Sequence, residues 1–362
     1  MPYNSDFLAH MRAVSQCLPM FEARAHFDLQ SFGLEVQARG RYFNFVPQFV
    51  DVSGPQIRYS PKISPQATGF LGWLPYFNKR WELATDKIAF KRFCLENGIR
   101  APRLFDDPRQ IDTPVIVKRR SASFGEGLRG PFLPAQAGER PPGEKEFYEE
   151  FIPGDIAKVW YWNDTLVCVE TKPMPRTTGD GRRTLRQLVM ADCKAPVLFH
   201  NAWDIQDALA RYQGISLDGV LEEGKSVLTD YRYHSPLNPI SLFNTNVLKE
   251  LDGTEVREAL AAAGPVFWRG IPDSIRGGTL FAVDAIIDPE KRIWFLEMNC
   301  NPVVPPDAYG AIFKELFGQA VDRPPVQQAP GPYVLRGLLP PGVSPGPPAF
   351  VPLGSALPLR HS

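Results

Sequence analysis

FLEMNCNP, residues 295–302, runs from apolar side chains into a carboxylate and two amides and then stops at proline. Side chains alternate across a strand, so Glu297 and Asn299 share a face. The segment closes a longer run, KRIWFLEMN (291–299), preceded by a second apolar run, GTLFAVDAIID (278–288), that carries a carboxylate, Asp284, in its interior. A turn at Asp288-Pro289 would fold the two into a hairpin and bring Asp284, Glu297 and Asn299 together. Three such oxygens suit a hard cation: magnesium is held by one or two carboxylates together with the phosphates of a substrate. Taken alone, the pattern reads first as a polar strand end in solvent.

Upstream, TPVIVKRR (113–120) reads as a β-branched strand that ends in Lys118 and leads into SASFGEG (121–127). Lysine supplies a point charge for phosphates, and small residues let backbone N–H groups approach them. Before it, TDKIAFKRFCLENGI (85–99) has a Thr85 or Asp86 cap, helical apolar spacing and a stop at Gly98. After it come KEFYEEFIPG, a hairpin turning at Asn163-Asp164, the turn-and-helix TTGDGRRTLRQLV, and the alanine-rich helix GTEVREALAAAGPVF. The N-terminal part predicts a helix over residues 7–29 and then β-like runs such as RYFNFVPQFVDV. Strands outnumber helices and the two classes are mixed throughout, which predicts an α+β fold.

The 362 residues are 44% hydrophobic, enough for two domains or for three small subdomains sharing one ligand site. Forty basic side chains balance forty acidic ones, which argues against nucleic acid or an anionic membrane as the main partner. Five scattered cysteines without a CxxC pair indicate neither a disulfide framework nor a zinc site. The five histidines share no ligand spacing; His234, in an irregular segment, lies where a substrate could enter. No export signal or long apolar run is visible, so the expected location is cytoplasmic. Thirty-seven prolines, many after Pro324, predict an extended tail, which could also dock a partner. Cys300 and the aromatic run VWYWND read as packing residues.

The order of these motifs resembles that of the ATP-grasp ligases: Asp86-Lys87, PVIVK, SASFGEG, EEFIPG, the Gly179–Gly181 GDG, Asp284 and EMNCNP. The resemblance covers roughly residues 81–309. It is similar to D-alanine-D-alanine ligase in the lysine and ExN elements, and to cyanophycin synthetase and glutathione-synthesising ligases in PRTTGDGRRTLRQLV. It implies an ATP-grasp fold, with nucleotide held between two α+β subdomains after a short N-terminal domain. The corresponding boundaries are 1–84, 85–145, 146–322 and a proline-rich 323–362.

By position, the resemblance assigns Lys87 and Lys118 to ATP phosphates, and the loop with Ser121, Ser123, Gly125 and Gly127 closes over them. Glu149, Glu150, Phe151 and Ile152 fall at the adenine hinge, and Asp284, Glu297 and Asn299 at magnesium, or manganese in its place. The chain departs from the pattern in three places. Arg119 and Arg120 follow the lysine and could add phosphate or substrate contacts. Asp155 stands one residue early for the ribose acid, and Lys158 replaces an arginine, as Lys172 could replace a basic residue upstream of GDG. Arg276 is the candidate catalytic cation for an acylphosphate. The implied activity is an ADP-forming carboxylate-amine ligase acting on small-molecule or peptide substrates, with a homodimer as the common assembly. The alternatives are a kinase of the same fold, or a regulatory nucleotide-binding protein with a degenerate core.

Overall fold

The computed structural model describes residues 4–51, 58–121, 125–139, 141–193, 203–237 and 245–318. The proline-rich tail, Ser123, and parts of the loops after Arg120, Cys193 and Leu237 lie outside the described residues. The chain divides into two compact units, one of Met1–Phe77 with Tyr309–Ser362 and one of Asn78–Ala308. Among the described residues no helix is long and apolar enough to cross a membrane.

The first unit opens with α1 (Asn4–Cys17), shorter than the helix expected over 7–29. A 3-10 turn at Leu18–Phe21, with Pro19 in it, and a left-handed Glu22 (φ 51°) end the helix and launch β1 (Ala23–Phe27). With β2 (Leu34–Ala38), β3 (Arg41–Asp51), β4 (Arg58–Ser60) and β5 (Gly69–Leu74) it forms an antiparallel sheet, all centred on β3. Pro47 is tolerated inside β3 because the strand changes partner there: β2 pairs with residues up to Phe45 and β5 from Val46 onward. The final helix, Ala308–Phe317, contributes Tyr309, Phe313 and Phe317 to an aromatic core with Phe21 and Trp73. Within that core Tyr309 Oη lies 2.9 Å from His10 Nδ1 and accepts from Trp73 N. Burial lowers the His10 pKa to about 3, so this histidine is a neutral packing group.

The second unit begins with α2 (Lys87–Glu96), capped by Asp86, whose carboxylate accepts from Ile88 N and Ala89 N. The strands β6 (Leu104–Phe105), β7 (Val115–Arg119), β8 (Arg129–Phe132) and, after the short α3 (Pro134–Ala137), β9 (Glu146–Glu150) form one antiparallel sheet ordered β6-β9-β7-β8. Next come the hairpin strands β10 (Asp155–Trp162) and β11 (Thr165–Pro173), turning through a left-handed Asn163 (φ 53°). Then follow β12 (Arg176–Thr178), α4 (Leu185–Asp192), α5 (Asp204–Tyr212), β13 (Ser226–Leu228), α6 (Glu255–Arg269) and α7 (Asp273–Arg276). Last are β14 (Leu280–Ile287) and β15 (Ile293–Asn299), which complete a second antiparallel sheet ordered β11-β10-β14-β15.

One face of this second sheet is a core. Ala157, Val159, Tyr161, Val169, Phe281, Val283 and Phe295 pack with Phe90 and Cys94 of α2 and with Leu260 and Phe267 of α6. Burying the Val, Leu and Phe side chains among them contributes about 1.5–3 kcal/mol each. The opposite face is therefore free to carry polar chemistry.

Candidate active site

Four charged side chains cross that opposite face as one row. Glu170 of β11 stands opposite Lys158 of β10, Lys158 opposite Asp284 of β14, and Asp284 opposite Glu297 of β15. A break in register makes the last pairing possible. Asp284 pairs with Glu297 but Ala285 pairs with Phe295, so Leu296 is an extra residue in β15. Without this bulge Phe295 and Glu297 would share a face; with it, Phe295 enters the core and Glu297 turns toward the row. Asn299, opposite Ala282, follows on the same side as Glu297 and donates from Nδ2 to Asp284 Oδ2 at 3.2 Å. The structure thus brings together the three oxygen-bearing residues that the sequence nominated.

Cations bracket the row. Lys158 Nζ lies 2.7 Å from Asp284 Oδ1, and Lys87 Nζ, at the first residue of α2, lies 3.0 Å from Glu297 Oε2. Burial works against ionising Glu297, but Lys87 and Lys118 outweigh it and bring its pKa down to about 2. Asp284 moves the other way. Burial and the neighbouring Glu297 charge raise its pKa in spite of Lys158. Two adjacent carboxylates, one of them costly to ionise, with an amide oxygen beside them, are a donor set that fits a hard divalent ion. Among the described residues no cluster of three His, Cys, Asp or Glu side chains is placed to hold a metal; this set has two carboxylates and one amide.

The lysine sheet supplies a second charged group. Glu149 of β9 is 1% exposed and lies between two lysines, with Lys118 Nζ 3.1 Å from Oε1 and Lys91 Nζ 3.1 Å from Oε2. Lys91 also donates to Phe295 O at 3.1 Å. Burial opposes charge on all three groups. For Glu149 the two lysines overcome that penalty and keep the carboxyl below its usual range, whereas Lys91 is depressed to about 8. Lys118 is held above its ordinary value because Glu149 and Glu297 outweigh burial.

Lys91 is the residue that the sequence reading missed. It stands one helical turn after Lys87 on α2, and two like charges at that spacing repel unless an acid lies between or beside them. That spacing was the available signal.

Beside these charges lies an apolar cluster of Ile116, Phe151, Ile156, Met174, Tyr231 and Ile286, with Ile152 and Leu296 partly buried against it. The two apolar residues nominated for the hinge, Phe151 and Ile152, belong to it. The Glu150 carboxylate instead accepts from Arg103 N and Nε, and the Asp155 side chain is exposed. Of the glycine loop, Gly125 and Gly127 adopt positive φ (73° and 72°), a region that side chains rarely enter, and Ser121 is exposed. Arg119 pairs with Glu126 of that loop, and Arg120 binds the helix-capping Asp86.

Other nominated residues have local partners. Arg276 donates to Ile271 O and Arg269 O, pairs with Asp273 and lies over the Trp268 ring. Its contacts stay within residues 268–276, and none is to the carboxylate row. In the GDG turn, Asp180 accepts from Arg182 N, Arg183 N and Arg183 Nε. Gly179 bonds with Lys225 and Gly224, so the motif braces the backbone of residues 221–225. Lys172 donates to Tyr233 O, and burial with Lys158 and Lys172 lowers the His234 pKa to about 4. The Cys300 thiol is raised by burial, as suits a packing residue, and Trp160, Tyr161 and Trp162 are buried.

No family model matches the chain. Over 118 residues it is 30% identical to the 5-formaminoimidazole-4-carboxamide-1-(beta)-D-ribofuranosyl 5'-monophosphate synthetase of Caldivirga maquilingensis, covering 27% of this chain and 34% of that protein. Over 235 residues it is 25% identical to the glutathione biosynthesis bifunctional protein GshAB of Streptococcus thermophilus, covering 58% and 29% respectively. The chain therefore spans about a third of the length of these relatives. A D-alanine--D-alanine ligase structure from Bacillus anthracis aligns with a TM-score of 0.32 and 14% identity, covering 66% of this chain and 67% of that one. In sequence the chain is thus similar to the synthetase and to GshAB over part of its length.

Proposed function

We propose that this protein is an ATP-dependent, ADP-forming carboxylate-amine ligase acting on small-molecule or peptide substrates. The observation that carries the reading is the pairing of Lys87 and Lys158 with the Glu297–Asp284 row, with the Glu149-held Lys118 close enough to act on Glu297. The adjoining apolar cluster, which holds the buried Phe151, offers the partly buried Ile152 and Leu296 as a surface for a purine.

Phosphoryl transfer asks a protein mainly for placement and charge neutralisation. Lys118 and Lys87 would bind phosphate oxygens, and Gly125, where an added Cβ would meet nothing nearer than 4.0 Å, leaves room for a phosphate beside its backbone. Asp284, Glu297 and Asn299 would hold magnesium or manganese, which would supply positive charge to offset that of the phosphates. Lys87 and Lys158 now balance the carboxylates; with the carboxylates engaged, they become available to anionic substrate groups. Lys91 and Glu149 position Lys118. An oxygen of the acid substrate takes the terminal phosphoryl group, and the amine then displaces phosphate from the acyl carbon.

The test is release of ADP and phosphate from ATP and magnesium in the presence of amino-acid and short-peptide pools. Turnover should require both an acid and an amine. Glu297→Gln should lower it by about 100-fold or more while the protein remains folded. Unchanged turnover in that variant would remove Glu297 from the site.

A further inference from the structure

Phosphoryl transfer to an acid places charge on oxygens beyond the reach of the metal set, and Arg276 is engaged elsewhere. Another arginine is held in a way that suits the task. We propose that Arg232 is a further catalytic residue, binding the terminal phosphoryl group as it passes from nucleotide to acid, with Asp230 as its positioning residue. The inference rests on the ligase reading.

Asp230 is completely buried. Its Oδ1 accepts from Tyr231 N at 2.8 Å, Arg232 N at 3.0 Å and Arg232 Nε at 3.0 Å. Its Oδ2 accepts from Arg232 Nη2 at 2.7 Å and Ser235 Oγ at 2.8 Å. A carboxylate with so many donors is fixed in place, and it grips the Nε–Nη2 edge of the guanidinium as a fork. The Nη1 edge lies outside the clamp. The Arg232 side chain is 25% exposed, so it is rigid yet open to a ligand.

Its location is set from both sides. The stem passes the glycine loop: a Cβ on Gly125 would lie 4.0 Å from Arg232 Cδ. Tyr231 Oη donates to Gly130 O at 2.9 Å, joining the segment to β8, the strand that follows that loop. Tyr233 Oη donates to Glu170 Oε2 at 2.6 Å, and Lys158 Nζ lies 4.9 Å from the Tyr233 ring centre. Residues 231–233 therefore link the glycine loop to the Glu170–Lys158–Asp284–Glu297 row, with Arg232 between the two attachments.

In the step, the acid oxygen forms a bond to the terminal phosphorus and the bond from that phosphorus to the bridging oxygen breaks. The electron pair leaves with ADP. Arg232 stays protonated throughout and faces the charge on the transferring group.

An ion pair that only braces the turn would behave differently, and calorimetry separates the two. Wild type, Arg232→Met, Arg232→Lys and Asp230→Asn are titrated with the magnesium complexes of AMP-PNP and ADP, and their melting temperatures are measured. The expected result for Arg232→Met is a loss of about tenfold or more in affinity for AMP-PNP, with ADP binding within about twofold of wild type. Arg232→Lys should recover part of the loss, and Asp230→Asn should show an intermediate one. If Arg232→Met does not fold, the other two variants carry the same comparison. An unchanged ratio of AMP-PNP to ADP affinity, with only a lower melting temperature, would overturn the inference and leave the ligase reading standing. Failure of the wild type to bind either nucleotide would overturn the ligase reading and the inference with it.

Discussion

Replacing Glu149 by glutamine removes the one negative charge between Lys91 and Lys118 while nearly preserving volume. The carboxylate is 1% exposed, and the side chains of its partners are 2% and 14% exposed, so water screens the loss poorly. Breaking a buried pair by removing one partner costs about 3–5 kcal/mol. The amide oxygen still accepts from one lysine, which places the expected loss at the lower end, about 3 kcal/mol. For a unit of this size that is a fall of about 6–12 °C in melting temperature. Thermal and urea unfolding of the apo protein measure it. Adding Lys91→Met to Glu149→Gln should recover about 1–2 kcal/mol, because it removes one of the two cations left facing each other. A Glu149→Gln protein within about 0.5 kcal/mol of wild type, or strictly additive losses in the double variant, would refute the clamp.

Lys91 makes the same cluster sensitive to alkali. Its pKa is about 8 in the fold against 10.5 ordinarily, so between those values the unfolded chain binds the extra proton and stability rises with pH. Relative to Lys91→Met, wild type should gain up to about 3 kcal/mol across that window in urea titrations; parallel pH profiles would contradict this. Gly179→Ala should cost about 2 kcal/mol or more, since a Cβ there would lie 2.0 Å from Glu222 O and 2.7 Å from Leu221 O. A urea midpoint equal to that of wild type would show that the GDG turn does not need the close approach. Chelation with EDTA should abolish ADP formation without lowering the apo melting temperature, because Glu297 and Asp284 already pair with Lys87 and Lys158.

Local rules made much of the second unit readable. The Asp86 cap, the Asn163-Asp164 turn and the short helix after the GDG turn depend on neighbours a few residues away, and each lies where its sequence pattern points. Asp284, Glu297 and Asn299 were legible as a group, but the reason they converge was not. The extra Leu296 that rotates Glu297 out of the core is a property of the pairing with β14 and leaves no mark on alternation within β15. The same holds for Glu149. Its neighbours suggested a hinge, and only the meeting of β9 with α2 reveals its place between Lys91 and Lys118.

α1 stops at Cys17 because Pro19 and the left-handed Glu22 break a pattern that apolar spacing alone would continue. Arg276 had the right chemistry and a nearby strand, but backbone acceptors within residues 269–271 take its guanidinium. Arg232 carries no motif; its clamp becomes visible only with the burial of Asp230.

The central claim is that a carboxylate is activated by phosphorylation before an amine joins it. The most direct measurement supplies amino-acid and short-peptide pools with oxygen-18 in the carboxylates, together with ATP and magnesium, and analyses the phosphate and the products by mass spectrometry. The ligase account predicts one oxygen-18 in each released phosphate and a product lighter than acid plus amine by one water. Phosphate without label, or a stable phosphorylated product that persists in the presence of amines, would contradict it.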